Sequence, residues 1–143
     1  MKKLSEQFLE MSQQTAEWEN RAAAEHEMNR KEFESDIAEA RTAVQKAQTK
    51  FDAKLNSIEE SVSSQWRKLQ TSFDNQVAIA RSKAAELKAA HNLADAKDRA
   101  DYYESYAEVA ADFARMAAAE ADAAMLQAAE ARTYANSLET TPA

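Results

Sequence analysis

Glycine is absent from all 143 residues of this chain, and its single proline stands at position 142, beside the C-terminus. Tight strand-to-strand turns are built from residues that accept a positive φ, and glycine is their main supplier. Sheet topologies therefore lose the turn chemistry they depend on, and helix is what remains. Alanine dominates the sequence, with Glu, Lys, Gln and Arg well represented, and these residues lose least when a helix forms. The composition is that of long helices.

Much of the 45% hydrophobic content is alanine, and mean hydropathy is −0.70, so a thick globular core is hard to build. Length alone points to one domain. With no cysteine, disulfide frameworks and thiol chemistry are excluded. The first residues, Met1-Lys2-Lys3-Leu4-Ser5, are charged like the start of an export signal, but Glu6 and Glu10 interrupt the apolar run that should follow. No export signal is expected, and a cytoplasmic location is. No apolar run approaches the roughly 20 residues that cross a bilayer.

Net charge is −7 and the isoelectric point about 4.9, which repels phosphate backbones and argues against nucleic acid as partner. The charge is unevenly distributed. Residues 1–40 carry five Lys/Arg against ten Asp/Glu, residues 41–99 eleven against seven, and residues 100–143 two against eight. An acidic–basic–acidic chain favours antiparallel packing, because parallel association of extended chains stacks like charge on like.

Apolar residues recur at helical spacing from the start: Leu4, Phe8, Met11, Thr15, Trp18 and Ala22 form one amphipathic stripe. It fades into charge between Ala23 and Lys31, then resumes at Phe33, Ile37, Ala40 and Val44. From there it settles into a repeat of eleven with three register sets. These are Val44, Leu55, Trp66 and Val77; Ala47, Ile58, Leu69 and Ala80; and Phe51, Val62, Phe73 and Ala84. Steps of three, four and four give about 3.67 residues per turn, a nearly straight helix with slight right-handed supercoil. The unbroken repeat predicts a single helix from Phe33 to Leu87. The last segment carries Tyr103, Tyr106, Ala110, Phe113 and Ala117 and is then mostly alanine, which allows close helix approach.

Capping chemistry places the helix starts. Asn29 with Glu32 three residues on, and Met28 and Phe33 as a hydrophobic staple, is a good start signal. Asn92-Leu93-Ala94-Asp95 is a weaker one, and Leu4-Ser5 with Leu9 is a candidate for the first helix. Asn56-Ser57-Ile58-Glu59 also fits the pattern, but the stripe runs straight through it. The resulting map is helix 5–28, helix 30–91 and helix 93–138, with residues 139–143 a frayed tail. The rival geometry has no break near Asn29 and gives one helix of about 90 residues with a shorter return arm.

Candidate chemistry is thin. His26 and His91 lack the Glu three residues earlier that a ferritin-type metal bundle requires, so no metal site or cofactor is expected; His91 reads as a stripe or helix-end residue and His26 as a solvated one. Phosphate loops, nucleophile elbows and Cys-His pairs are missing, and no enzyme activity is expected. Glu120 lies between Phe113, Ala117 and Ala124 on the last stripe and reads as a partly buried register-setting or rim residue. Tyr102, Tyr103 and Tyr106 form an aromatic cluster best read as packing near a turn. Trp18 and Trp66 read as core or interface anchors, and Met11, Met28, Met116 and Met125 as gap-fillers.

The tail from Ala110-Ala111-Asp112-Phe113 through Met116-Ala117-Ala118-Ala119-Glu120-Ala121 to Met125-Leu126-Gln127-Ala128-Ala129-Glu130-Ala131-Arg132 resembles the end of small alanine-rich bacterial coiled-coil proteins of unassigned function. That resemblance implies a small soluble protein with a structural role, and brings no catalytic residues with it.

The expectation is thus an all-α protein: one elongated domain, a long antiparallel helical hairpin or three-helix coiled-coil-type bundle with an eleven-residue repeat in its central helix. Its expected work is that of a scaffold, spacer or adaptor that self-associates as a dimer, a higher oligomer or a filament, with an unknown protein as further partner. The association surface is Phe33, Ile37, Val44, Phe51, Leu55, Ile58, Val62, Trp66, Leu69, Phe73, Val77 and Phe113. The competing reading is binding to a membrane or hydrophobic particle, since eleven-residue repeats also lie on lipid surfaces. About three apolar residues in eleven make a narrow seam, which suits a helix partner better than an acyl layer.

Overall fold

A computed structural model describes residues 3–25, 30–88 and 92–140. Every one of these residues is helical except Lys3, Ile58, Glu59 and Asn92, so the chain is all-α. The helices are α1 (Leu4–Glu25), α2 (Arg30–Ser57), α3 (Glu60–Lys88) and α4 (Leu93–Thr140). Expected signals at residues 26–29, including Asn29 and Met28, and the two histidines His26 and His91 lie outside the described residues.

The first helix begins at Leu4, the first residue of its stripe and one residue before the expected start at residue 5. The Lys3 carbonyl accepts from the amides of Glu6 and Gln7, both at 3.1 Å, while the Lys3 amide donates to Glu6 Oε2 at 3.3 Å. That returning carboxylate is half of a capping box, and it sets an acid in the first turn, where the helix dipole favours it. Arg21 then joins α1 to α2: its guanidinium lies 3.0 Å from Glu17, 3.9 Å from Asp36 and 3.4 Å from Glu39. A continuous helix would hold residues 21 and 39 about 27 Å apart along its axis, so this contact rules out the single helix of about 90 residues.

The unbroken helix over residues 30–91 is not what forms. The chain leaves helix at Ile58 and Glu59 and folds back, so that α2 and α3 make an antiparallel hairpin. Four contacts set its direction, those near the turn joining Asn56 with Arg67, Asp52 with Arg67 at 3.1 Å and Phe51 with Trp66 at 6.5 Å between ring centres, and the one farther from it joining Gln48 with Asp74 at 2.9 Å. No described residue has a positive φ, so this two-residue connection is made without the left-handed conformation that glycine would supply. The Glu59 carbonyl accepts from the amides of Val62 and Ser63 and so starts α3, with Glu60 in its first turn; Lys54 occupies the last turn of α2. These charges match the dipoles at both ends of the break.

The eleven-residue repeat did not expose this break because it reads nearly the same in both directions. Positions equidistant from the turn are themselves stripe positions: 55 and 62, 51 and 66, 44 and 73, 40 and 77. Folding back lays stripe on stripe, where a straight helix would leave the whole stripe open to water.

The weaker cap at Asn92 is real: Asn92 Oδ1 accepts from the Asp95 amide at 2.8 Å, and its carbonyl accepts from the Ala96 amide at 3.0 Å. The helix it starts runs to Thr140, two residues past the expected end, so Glu139 and Thr140 are helical rather than frayed. At 1.5 Å per residue α4 is about 72 Å long. The chain divides into two compact units, Met1–Val77 and Ala78–Ala143. None of the described helices is long and apolar enough to cross a membrane.

Candidate association surface

The hairpin seam grades from closed to half-open. Leu55, 3% exposed, is the most buried large side chain; Ser63, Val77 and Ala80 are also buried, and these four are the buried residues among those described. All lie on α2 or α3. Phe33, Val44 and Ile58 are half-buried. The bulky seam residues Phe51, Trp66, Phe73, Val62 and Leu69 keep between 37% and 43% of their surface in water. Phe51 and Trp66 meet edge to face, with an interplanar angle of 83°, so each ring is covered by the facing helix on one side and open on the other.

Polar contacts hold this register from the flank. Arg67 reaches both Asp52 and Asn56, and the Gln48 amide group donates to Asp74. The Asp52 and Arg67 side chains are 51% and 40% exposed, and an ion pair that open to solvent contributes at most about 1 kcal/mol. Specificity of register rather than stability is their contribution. Ser63 is the seam residue that apolar patterning missed; its hydroxyl donates to the Glu60 carbonyl at 3.3 Å, which satisfies it without leaving its own helix. Four residues past Glu59, its small side chain fits where two helices have barely diverged from their connection. The legible signal was size, not polarity.

Several expected packing residues stand in water instead. Ile37 is well exposed and Phe113 is 39% exposed. Met11, Met116 and Met125 are exposed rather than filling gaps, and Glu120 is exposed rather than partly buried. Trp18 is half-buried, with the Arg21 guanidinium 4.9 Å from its ring centre. Tyr102 packs on Tyr103 at 5.8 Å and on Tyr106 at 6.3 Å, and Arg99 lies 5.9 Å from the Tyr103 ring, so the tyrosine cluster is made within α4 rather than against a second helix.

Among the described residues no group of three or more His, Cys, Asp or Glu side chains is placed to hold a metal ion. A shallow depression on α4 is lined by Ala129, Glu130, Thr133, Tyr134 and Ser137, all from that one helix. What the arrangement offers is helix faces: a half-open seam on α2–α3, and a long helix carrying exposed Val109, Met116, Leu126 and Leu138. No family model, curated protein or solved structure matches the chain.

Proposed function

We propose that this chain is a non-enzymatic structural protein, a scaffold or adaptor, that acts by coiled-coil self-association through its eleven-residue stripe. One observation carries the reading: the bulky seam residues already have a companion helix, yet still expose about two-fifths of their surface. A layer two helices thick buries such side chains on one side only, and a second layer completes the core. Two hairpins face to face give a four-helix cross-section; a staggered contact repeats into a filament.

Two substitutions separate fold from association. Leu55 is enclosed within the hairpin, so Leu55→Asp unfolds it; Leu69 is half-open, so Leu69→Asp keeps helicity and lowers the mass of the assembly. Circular dichroism and sedimentation velocity read the two effects. A Leu69→Asp protein sedimenting like the unaltered chain at equal concentration removes the stripe from the interface.

A second reading rests on the positive balance of residues 41–99 combined with the same half-open apolar seam, which suits the surface of an anionic membrane or hydrophobic particle. Flotation with anionic liposomes decides between them. Helix gained on vesicles by a protein that is poorly helical alone would replace self-association with surface binding.

A further inference from the structure

The connection between α2 and α3 is two residues long, Ile58 and Glu59, and the eleven-residue stripe passes through it in step. Ile58 is itself the stripe position between Ala47 and Leu69. A helix continued through the connection therefore keeps one unbroken stripe. The stripe is also its own mirror image about that point, since 55 answers 62, 51 answers 66 and 44 answers 73. We propose that the hairpin opens at Ile58–Glu59 into one continuous helix, and that two such chains pair antiparallel about a two-fold axis at the connection, each α2 taking the other copy's α3. The occupant is a second copy because the seam is complementary to its own reversal, a property that an unrelated helix need not share.

Pairing between copies reproduces what the hairpin holds within one. Asp52 and Asn56 of one chain meet Arg67 of the other, Phe51 meets Trp66 edge to face, and Gln48 donates to Asp74; the two-fold axis makes each contact twice. The exchange then adds backbone bonds at the connection. A helix end leaves its last carbonyls and first amides without intrahelical partners, and in the hairpin the Ser57 hydroxyl takes up one of them by donating to the Lys54 carbonyl at 2.8 Å. A helix continued through Ile58 and Glu59 supplies such groups with bonds to residues four positions away. It also sets the half-buried Ile58 of one copy beside that of the other at the axis, where each gains an apolar neighbour. One repulsion comes with this, because Glu59 of each copy approaches its counterpart there. Against the gain stands the loss of an intramolecular closure, so the balance turns on protein concentration. Short hinges favour exchange of this kind.

This inference rests on the self-association reading and names its mode, and a distance within one chain separates the two. The chain has no cysteine, so spin labels on Lys46→Cys and Thr71→Cys report a single separation when the labelled chain is refolded with a large excess of unlabelled chain. Along a continuous helix those positions lie about 38 Å apart, whereas the packed helices of a hairpin hold them within about 20 Å. The long separation is expected in the dimer, its share rising with concentration. Glu60 is the first residue of α3, where proline is tolerated, but inside a continuous helix proline removes a backbone bond and clashes with the preceding turn. Glu60→Pro is therefore expected to keep helicity, abolish the long separation and weaken dimer formation at least about a hundredfold. Glu59→Ala, which removes the repulsion at the axis and favours helix, is expected to strengthen it several-fold. A short separation in an unaltered chain that still associates, or a Glu60→Pro chain that associates as tightly as the unaltered one, overturns the exchange and keeps self-association by closed hairpins. A Glu59→Ala chain with no larger share of the long separation overturns the exchange too, whatever Glu60→Pro does to folding. An unaltered chain that is monomeric at tens of micromolar loses both.

Discussion

The α2–α3 hairpin and α4 are both helical, long and rich in helix-forming residues, yet every buried residue among those described lies on the hairpin helices and none on α4. The hairpin spaces Phe, Leu, Ile, Val and Trp along a narrow seam and gains by covering them. Helix α4 replaces most of these with alanine, whose burial contributes little and whose intrinsic propensity contributes much. One region holds its shape through neighbours; the other holds it through its own backbone and such local contacts as the Arg115–Asp112 pair at 3.2 Å.

Matched substitutions break or sharpen that contrast. The largest effect is expected from Leu55→Asp, which places a charge at a site 3% exposed and lowers stability by about 3–5 kcal/mol in urea unfolding followed by circular dichroism. The same change at Leu126 on α4, 65% exposed, is expected to cost under about 0.5 kcal/mol. Equal losses at the two positions would erase the distinction.

Overpacking comes next. Ser63→Leu forces a larger side chain into the closed end of the hairpin and is expected to cost about 1–3 kcal/mol, read by the same unfolding curve. Helix α4 should respond instead to propensity: Ala119→Gly removes about 1 kcal/mol of local helix stability and lowers the helical signal at 222 nm on warming. Smallest is Arg67→Ala, expected to cost less than about 1 kcal/mol and to lose that effect in 1 M salt, because both partners are half in water. A salt-resistant loss larger than this would make Arg67 a packing residue rather than a register device.

Much of this was readable from residue spacing. Absent glycine and abundant alanine point to helix, the Asn92 cap marks the start of α4, and the stripe includes Leu55 and Val77, both buried. The connection at Ile58–Glu59 was not readable, although Asn56-Ser57-Ile58-Glu59 carried a start pattern. A 3-4-4 repeat keeps its phase whether the chain continues or reverses, so periodicity is silent on which occurs. Ser63 escaped for a related reason, since apolar patterning cannot flag a small polar residue whose hydroxyl bonds within its own helix. Glu120 and Met11 fall on a stripe by spacing, and Met116 and Met125 read as gap-fillers by side-chain type, but spacing says only which face a residue occupies. Whether another helix covers that face is a separate question.

What the sequence by itself determined is local: helix over all but a few residues, the Asn92 cap, the faces and the spacing along them. These follow from backbone propensity and short-range hydrogen bonds, which each segment satisfies alone. Only the tertiary structure decided where the chain reverses, and hence that Phe51 meets Trp66 across the hairpin. That choice depends on which stripe finds a partner, a competition between distant segments that no local pattern records.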